Sequence, residues 1–175
     1  MKNKIKELLS FIMNIAIGIA IGLFIVIFVG QHTYIEGHSM EPSLQHHDVL
    51  IIDKVSYRFT EPSRFDIIAF PYDAQDHHVK RIIGLPGEEV QIIAGFIYIN
   101  GVLLEEDFGY EELINNPGIA RERILLGEDE YFLLGDNRNR SRDSRDPTVG
   151  ARHRDEFVGR VWVRVWPPSN FGFLD

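Results

Sequence analysis

Val90-Gln91-Ile92-Ile93-Ala94-Gly95-Phe96-Ile97-Tyr98-Ile99-Asn100-Gly101-Val102-Leu103-Leu104 carries the clearest fold signal in the chain. Three short runs of β-branched, aromatic and aliphatic residues are separated by Ala94-Gly95 and Asn100-Gly101. Asn-Gly tolerates the two positive φ angles of a type I′ turn, the two-residue connection that matches the twist of paired strands. The pattern predicts back-to-back hairpins over Val90–Ile93, Phe96–Ile99 and Val102–Leu104. Just upstream, Leu85-Pro86-Gly87-Glu88 places Pro and Gly where a type II turn needs them. The same texture continues outward as Val49–Ile52, Phe65–Phe70, Val79–Ile83, Tyr131–Leu134 and Val158–Trp166. Only residues 105–123 leave room for a helical turn, which Asn115-Asn116-Pro117-Gly118 would break. These runs predict a mainly β, antiparallel fold.

The N-terminus reads differently. From Leu8 to Val29 only Ser10, Asn14, Gly18 and Gly22 are not strongly apolar, and no charge falls between Glu7 and Glu36. As a helix this run spans roughly 33 Å, enough to cross a bilayer core of about 30 Å. It is longer than the apolar core of a cleavable signal peptide and lacks a small-x-small exit, so an uncleaved anchor is expected. Lys2, Lys4 and Lys6 precede it, which leaves the N-terminus in the cytoplasm and the rest outside. The expected organisation is a cytoplasmic segment 1–7, a transmembrane anchor 8–29 and an extracytoplasmic domain 30–175. Gly18 and Gly22 form a small-xxx-small pair, a weak signal for anchor pairing, and a monomer is expected. With 18 Lys and Arg against 26 Asp and Glu, the net charge is −8. That balance excludes a general nucleic-acid binder. The absence of cysteine excludes disulfides, thiolate metal sites and a thiol nucleophile.

Three segments carry chemistry. Gly37-His38-Ser39-Met40-Glu41-Pro42-Ser43-Leu44 sets Ser39 on a constrained turn, but a serine needs a base to become a nucleophile. Arginine does not deprotonate in proteins, and after the anchor the only lysines are Lys54 and Lys80. Lys54 follows Asp53 at a strand end. Lys80 lies in His78-Val79-Lys80-Arg81-Ile82-Ile83-Gly84, where strand alternation puts His78, Lys80 and Ile82 on one face. Desolvation there lowers an amine's pKa and makes it a candidate general base. The third segment, Gly135-Asp136-Asn137-Arg138-Asn139-Arg140-Ser141-Arg142-Asp143-Ser144-Arg145, alternates its charges as an internal ion-pair network would.

In this order behind an N-terminal anchor, the three segments resemble the boxes of bacterial type I signal peptidases, membrane-bound Ser/Lys endopeptidases that remove signal peptides from exported proteins. Gly-His-Ser-Met-Glu-Pro-Ser-Leu resembles the nucleophile box, Lys-Arg-Ile-Ile-Gly-Leu-Pro-Gly-Glu the lysine box, and Gly-Asp-Asn-Arg-x-x-Ser-x-Asp-Ser-Arg the late box. The resemblance implies Ser39 as nucleophile and Lys80 as general base, with Ser141 holding the amine through its hydroxyl. It implies an Asp143–Arg145 ion pair under the site, and Asp136, Arg138 and Ser144 bracing the loop. It further implies antiparallel sheets, no cofactor or metal, and an extended substrate bound as an added strand. Shallow pockets would take small side chains at the first and third positions before the cut, with Met40 and Val79 as expected walls. The implied partners are preproteins emerging from a translocon and the lipid bilayer. Gly37 replaces a serine that some members use in the oxyanion hole, so the hole falls to backbone N–H groups, chiefly that of Ser39. Gly37 and the short stretch from Gly101 to Gly127 match the short form of Gram-positive members. His38 is unusual at its position.

Other readings fit less well. His46-His47-Asp48 and Asp76-His77-His78 suggest a metal site, yet adjacent strand residues face opposite ways and no His-x-His or His-Glu-x-x-His is present. No Gly-x-Ser-x-Gly elbow accompanies Ser39 to suggest a Ser-His-Asp hydrolase. A Ser/Lys self-cleaving repressor lacks such an anchor, and a dead scaffold would not need both Ser39 and Lys80. Ser39 follows Val29 by ten residues, at most about 36 Å of extended chain, so the nucleophile is tethered near the outer membrane–water boundary. Trp162, Trp166, Phe171 and Phe173 are candidates for resting on lipid headgroups.

Overall fold

A computed structural model describes residues 2–28, 30–71, 77–110 and 113–174. Its element order is one α-helix followed by twelve strands, with four short 3₁₀ turns between them. The helix, α1, runs over Lys2–Phe28. Its side chains at 2, 3, 5, 8, 21 and 23–28, and all of Val29, lie outside the described residues. Among those described, Leu9, Phe11, Ile12, Met13, Ile15, Ile17 and Ile19 are all exposed. Among the described residues no helix is long and apolar enough to cross a membrane.

The large sheet has the order β1 (Gly30–Tyr34), β2 (Val49–Asp53), β11 (Gly159–Trp166), β3 (Ile67–Pro71), β4 (His77–Gly84), β9 (Glu130–Leu134), β10 (Arg152–His153), with β12 (Gly172–Phe173) paired to β11. The small sheet has the order β7 (Val102–Leu103), β6 (Phe96–Ile99), β5 (Glu89–Ile93), β8 (Ile124–Leu125). Every recorded pairing is antiparallel. The eight predicted runs all become strands, and the turns have the predicted chemistry. Ala94 and Gly95, and Asn100 and Gly101, hold positive φ in both hairpins. Gly87 holds φ 76° and Glu88 N–H donates to Leu85 C=O at 3.1 Å. Among the described residues of 105–123 the helical turn is a 3₁₀ turn, Gly118–Arg121, that starts at the glycine of Asn-Asn-Pro-Gly instead of being broken by it; three more such turns, Ser56–Arg58, Arg154–Glu156 and Pro168–Asn170, lie outside the stretch expected to hold one.

The two sheets share a core. Ile83, Phe132 and Leu134 of the large sheet pack on Val90, Ile92, Ile97 and Ile99 of the small one. A second cluster joins Met40 and Leu44 to Leu50, Ile52, Ile67, Ala69, Val79 and Val161. A third gathers Ile68, Phe70, Ile82, Tyr131, Leu133 and Phe157. Burying a side chain of this size contributes about 1.5–3 kcal/mol, so the clusters fix β4 from both faces.

That strand is the pivot of the fold. β4 pairs with β3 over His77–Arg81 but meets β9 only from Arg81 onward. Along His77–Lys80 the second edge therefore has no strand partner among the described residues.

Candidate active site

Ser39 is set by the turn that leaves β1. Ile35 N–H donates to Asp48 C=O and His47 N–H to Ile35 C=O, each at 2.9 Å, closing the base of the turn. Met40 and Leu44, at 1% and 0% exposure, plug it into the second core cluster. Gly37 adopts φ 96°, while an added Cβ there would meet nothing; the glycine is needed for its backbone angle, not for space. Between these anchors Ser39 presents its hydroxyl to β4.

Lys80 Nζ donates to Ser39 Oγ at 2.8 Å and to Val79 C=O at 2.8 Å. The two candidates chosen from the sequence thus meet, forty-one residues apart. Lys80 is 3% exposed. Burial pushes its amine down from 10.5 to about 8, against the opposing pull of Asp143 and Asp136. At that value a useful fraction of the amine is neutral near pH 7, the form that accepts a proton. Beside it His78 packs edge-on to Phe70, and burial together with the Lys80, Arg142 and Arg152 charges lowers it to about 4.

The third segment forms the wall behind both. Asp143 Oδ1 accepts from Arg145 Nε at 2.8 Å, and its Oδ2 accepts from Arg145 Nη2 at 2.8 Å and from Gly135 N–H at 3.1 Å. Arg138 Nε donates to Gly135 C=O at 3.0 Å, and its fork grips both carboxylate oxygens of Glu106. Ser144 Oγ accepts the Leu133 N–H at 2.9 Å, tying the segment back to β9. Asp136, fully buried, pairs bidentately with Arg81, Nε at 2.8 Å and Nη2 at 2.7 Å. Ser141 lies at the same place, but its buried Oγ makes no hydrogen bond, so the contact with Lys80 implied by the resemblance is not made here.

Sequence reasoning passed over three participants. Asn137 donates from its backbone N–H to Ser39 C=O and from Nδ2 to His38 C=O, each at 3.0 Å, fixing the peptide planes on both sides of the Ser39 Cα. Arg81, one residue from the amine, carries Asp136 on one side and stacks 3.7 Å from the Phe108 ring on the other. Gly135 stands where a Cβ would come within 2.2 Å of Ser141 Oγ and 2.4 Å of Ser39 C=O. Asn137 and Gly135 were in view within the third segment; Arg81 was in view beside Lys80. None could be assigned without knowing which groups of the folded chain each would meet.

Met40 and Val79 line a cavity of about 240 Å³ together with Ser39 and Lys80, floored by the end of β1 and the open edge of β4. Among the described residues the Ser39 N–H donates to no protein acceptor. Among the described residues no group of three or more His, Asp or Glu could hold a metal ion; Asp76 of the second His pair lies outside them. His38 Nδ1 lies 2.7 Å from Glu41 Oε1.

Residues 7–166 match the family described as signal peptidase, peptidase S26. The chain belongs to that family. It is 42% identical over 154 residues to a probable signal peptidase I-2 of Synechocystis sp., covering 84% of this chain and 68% of that protein. It is 38% identical over 176 residues to a signal peptidase I of Leptolyngbya laminosa, covering 95% of this chain and 84% of that one. Signal peptidase IB of Staphylococcus aureus is 29% identical over 182 residues, covering 96% and 94%. As a peptidase S26 member the chain is a serine endopeptidase, and the mainly antiparallel sheets agree with that assignment.

Proposed function

We propose that this signal peptidase family member removes signal peptides from exported preproteins through a Ser39/Lys80 dyad. The observation that carries the reading is the 2.8 Å contact between a buried amine and the Ser39 hydroxyl. The neutral Lys80 amine takes the hydroxyl proton as Ser39 Oγ attacks the scissile carbonyl. The oxygen that becomes negative is received by the Ser39 N–H, whose direction the Asn137 clamp supports. Lys80 then returns the proton to the departing amine, and a water activated by the same nitrogen releases the acyl group from Ser39. The buried Asp143–Arg145 and Arg81–Asp136 pairs act through the backbone they hold, not through contact with substrate.

The substrate lies extended along the open His77–Lys80 edge, as an added strand. Met40 and Val79 narrow the cavity beside Ser39, which favours small side chains before the cut. Residues 8–29 anchor the chain in the cytoplasmic membrane, with residues 30–175 outside as a monomer that meets preproteins leaving a translocon. Two features support this placement. The described apolar side chains of α1 are exposed all round, and Trp162, Trp166, Phe171 and Phe173 are exposed at 49–64% on β11 and the C-terminal segment.

The test is incubation of the purified full chain with a secretory precursor. Wild type cuts it; Ser39→Ala and Lys80→Ala lose activity by at least about a thousandfold with an unchanged fold. Retained cleavage by Lys80→Ala would overturn the dyad. Unchanged activity with a chelator present separates the reading from a metallohydrolase.

A further inference from the structure

Three imidazoles crowd the back of the nucleophile turn. The His46 and His47 rings lie 3.7 Å apart, and those of His38 and His46 5.5 Å apart. His46 Nδ1 accepts the Gly37 N–H at 3.1 Å. A ring nitrogen that accepts carries no proton, so this contact exists only with His46 neutral and protonated on Nε2. His47 occupies a left-handed backbone position, φ 71°, while its N–H closes the turn on Ile35 C=O. Its ring stacks on His46 and sets the plane in which Nδ1 points at Gly37.

We propose that His46 is a positioning residue for the peptidase reaction: as a neutral acceptor it holds Gly37, and with it the two-residue approach to Ser39, in the conformation the oxyanion site requires. The proposal rests on the reading of Ser39 as nucleophile. On the other side, Asn137 binds the carbonyls of His38 and Ser39; His46 supplies the matching hold on the preceding N–H. When His46 takes a proton, Nδ1 becomes a donor facing a donor, and Gly37 is released. The turn then keeps its Asn137 contacts but loses its fix at Gly37, so turnover falls without substrate binding being lost.

The charges that face this group come from several elements. His38 and His47 sit against the ring. Glu41 holds His38 and is reached by the Tyr110 hydroxyl at 3.4 Å. Asp48, at the base of the turn, is paired to Arg164. Glu36, His77, His78, Arg140 and Arg142 line the cavity beyond Gly37.

The experiment measures kcat and KM on one peptide substrate from about pH 5 to 8, across the imidazole range, for wild type, His46→Asn, His46→Leu and Ser39→Ala. Asn places an oxygen acceptor on the same Cγ and does not titrate. We expect wild type and His46→Asn to match near pH 8, and their kcat ratio to fall about two- to tenfold toward pH 5, with KM shared. His46→Leu runs about two- to tenfold slow in kcat at every pH. Parallel profiles for wild type and His46→Asn, or a His46→Leu enzyme as fast as wild type, would overturn the proposal. Because His46 is exposed, the Asn variant keeps the test valid even if the Leu variant is poorly folded. An inactive Ser39→Ala alongside either failure assigns that failure to His46; an active one removes the nucleophile reading itself.

Discussion

At the scale of single residues the proposed chemistry turns on how readily a lysine gives up its proton. Lys80 is held at about 8 by burial, with Asp136 and Asp143 pulling the other way. The rate should therefore rise with pH through about 8 and level off above it, checked by kcat/KM profiles; a limb midpoint at the ordinary lysine value would contradict the desolvated amine. The same shift has a cost in stability. Between about 8 and 10.5 the unfolded chain binds the Lys80 proton while the folded chain does not, so stability rises with pH across that window and the full penalty stands below it. Lys80→Met removes the penalty. We expect an inactive enzyme whose melting temperature at neutral pH is about 2–5 °C higher than wild type, measured by thermal unfolding. Lys80 itself was legible in the sequence because arginine is chemically excluded and the other lysine ends a strand. Arg81 was not, since its worth lies in Asp136, fifty-five residues away, and only a tertiary contact links them.

At the scale of elements, β4 and the 135–145 segment do most to shape the site. The strand runs were legible because apolar alternation and Asn-Gly or Pro-Gly turns are local signals. β1, β8, β10 and β12 escaped. Gly30–Tyr34 is largely polar, and the other three are two residues each; their pairing is dictated by neighbours already in place, not by their own propensity. The 135–145 segment was recognised by its charges, yet its glycine carries as much of the geometry. Gly135→Ala forces a Cβ against Ser39 C=O, a backbone atom with little freedom to yield. We expect kcat to fall about a hundredfold, since a displacement of roughly 1 Å at a nucleophile costs that much. Asp143→Ala acts on the fold as well. It leaves the buried Arg145 guanidinium without its counter-charge and the Gly135 N–H without its acceptor, which costs about 3–5 kcal/mol and is read as a lower denaturation midpoint.

At the scale of the whole molecule, the helix and the sheets are joined almost without a linker: α1 ends at Phe28 and β1 begins at Gly30. Five residues of strand then lead to the turn that carries Ser39. With α1 in the bilayer, as proposed, the full chain should stay with the membrane fraction through an alkaline wash, whereas a chain lacking residues 1–29 should not; sedimentation checks this. On that placement the short junction would also make the enzyme a ruler. A β-strand is stiff over its length, so the five residues of β1 would hold the Ser39 oxygen at a set height above the lipid. Preproteins would then be sorted by how far their scissile bond stands off the surface, as well as by the side chains around it. Lengthening the junction with a few glycines would blur that yardstick, and cuts would scatter to neighbouring bonds.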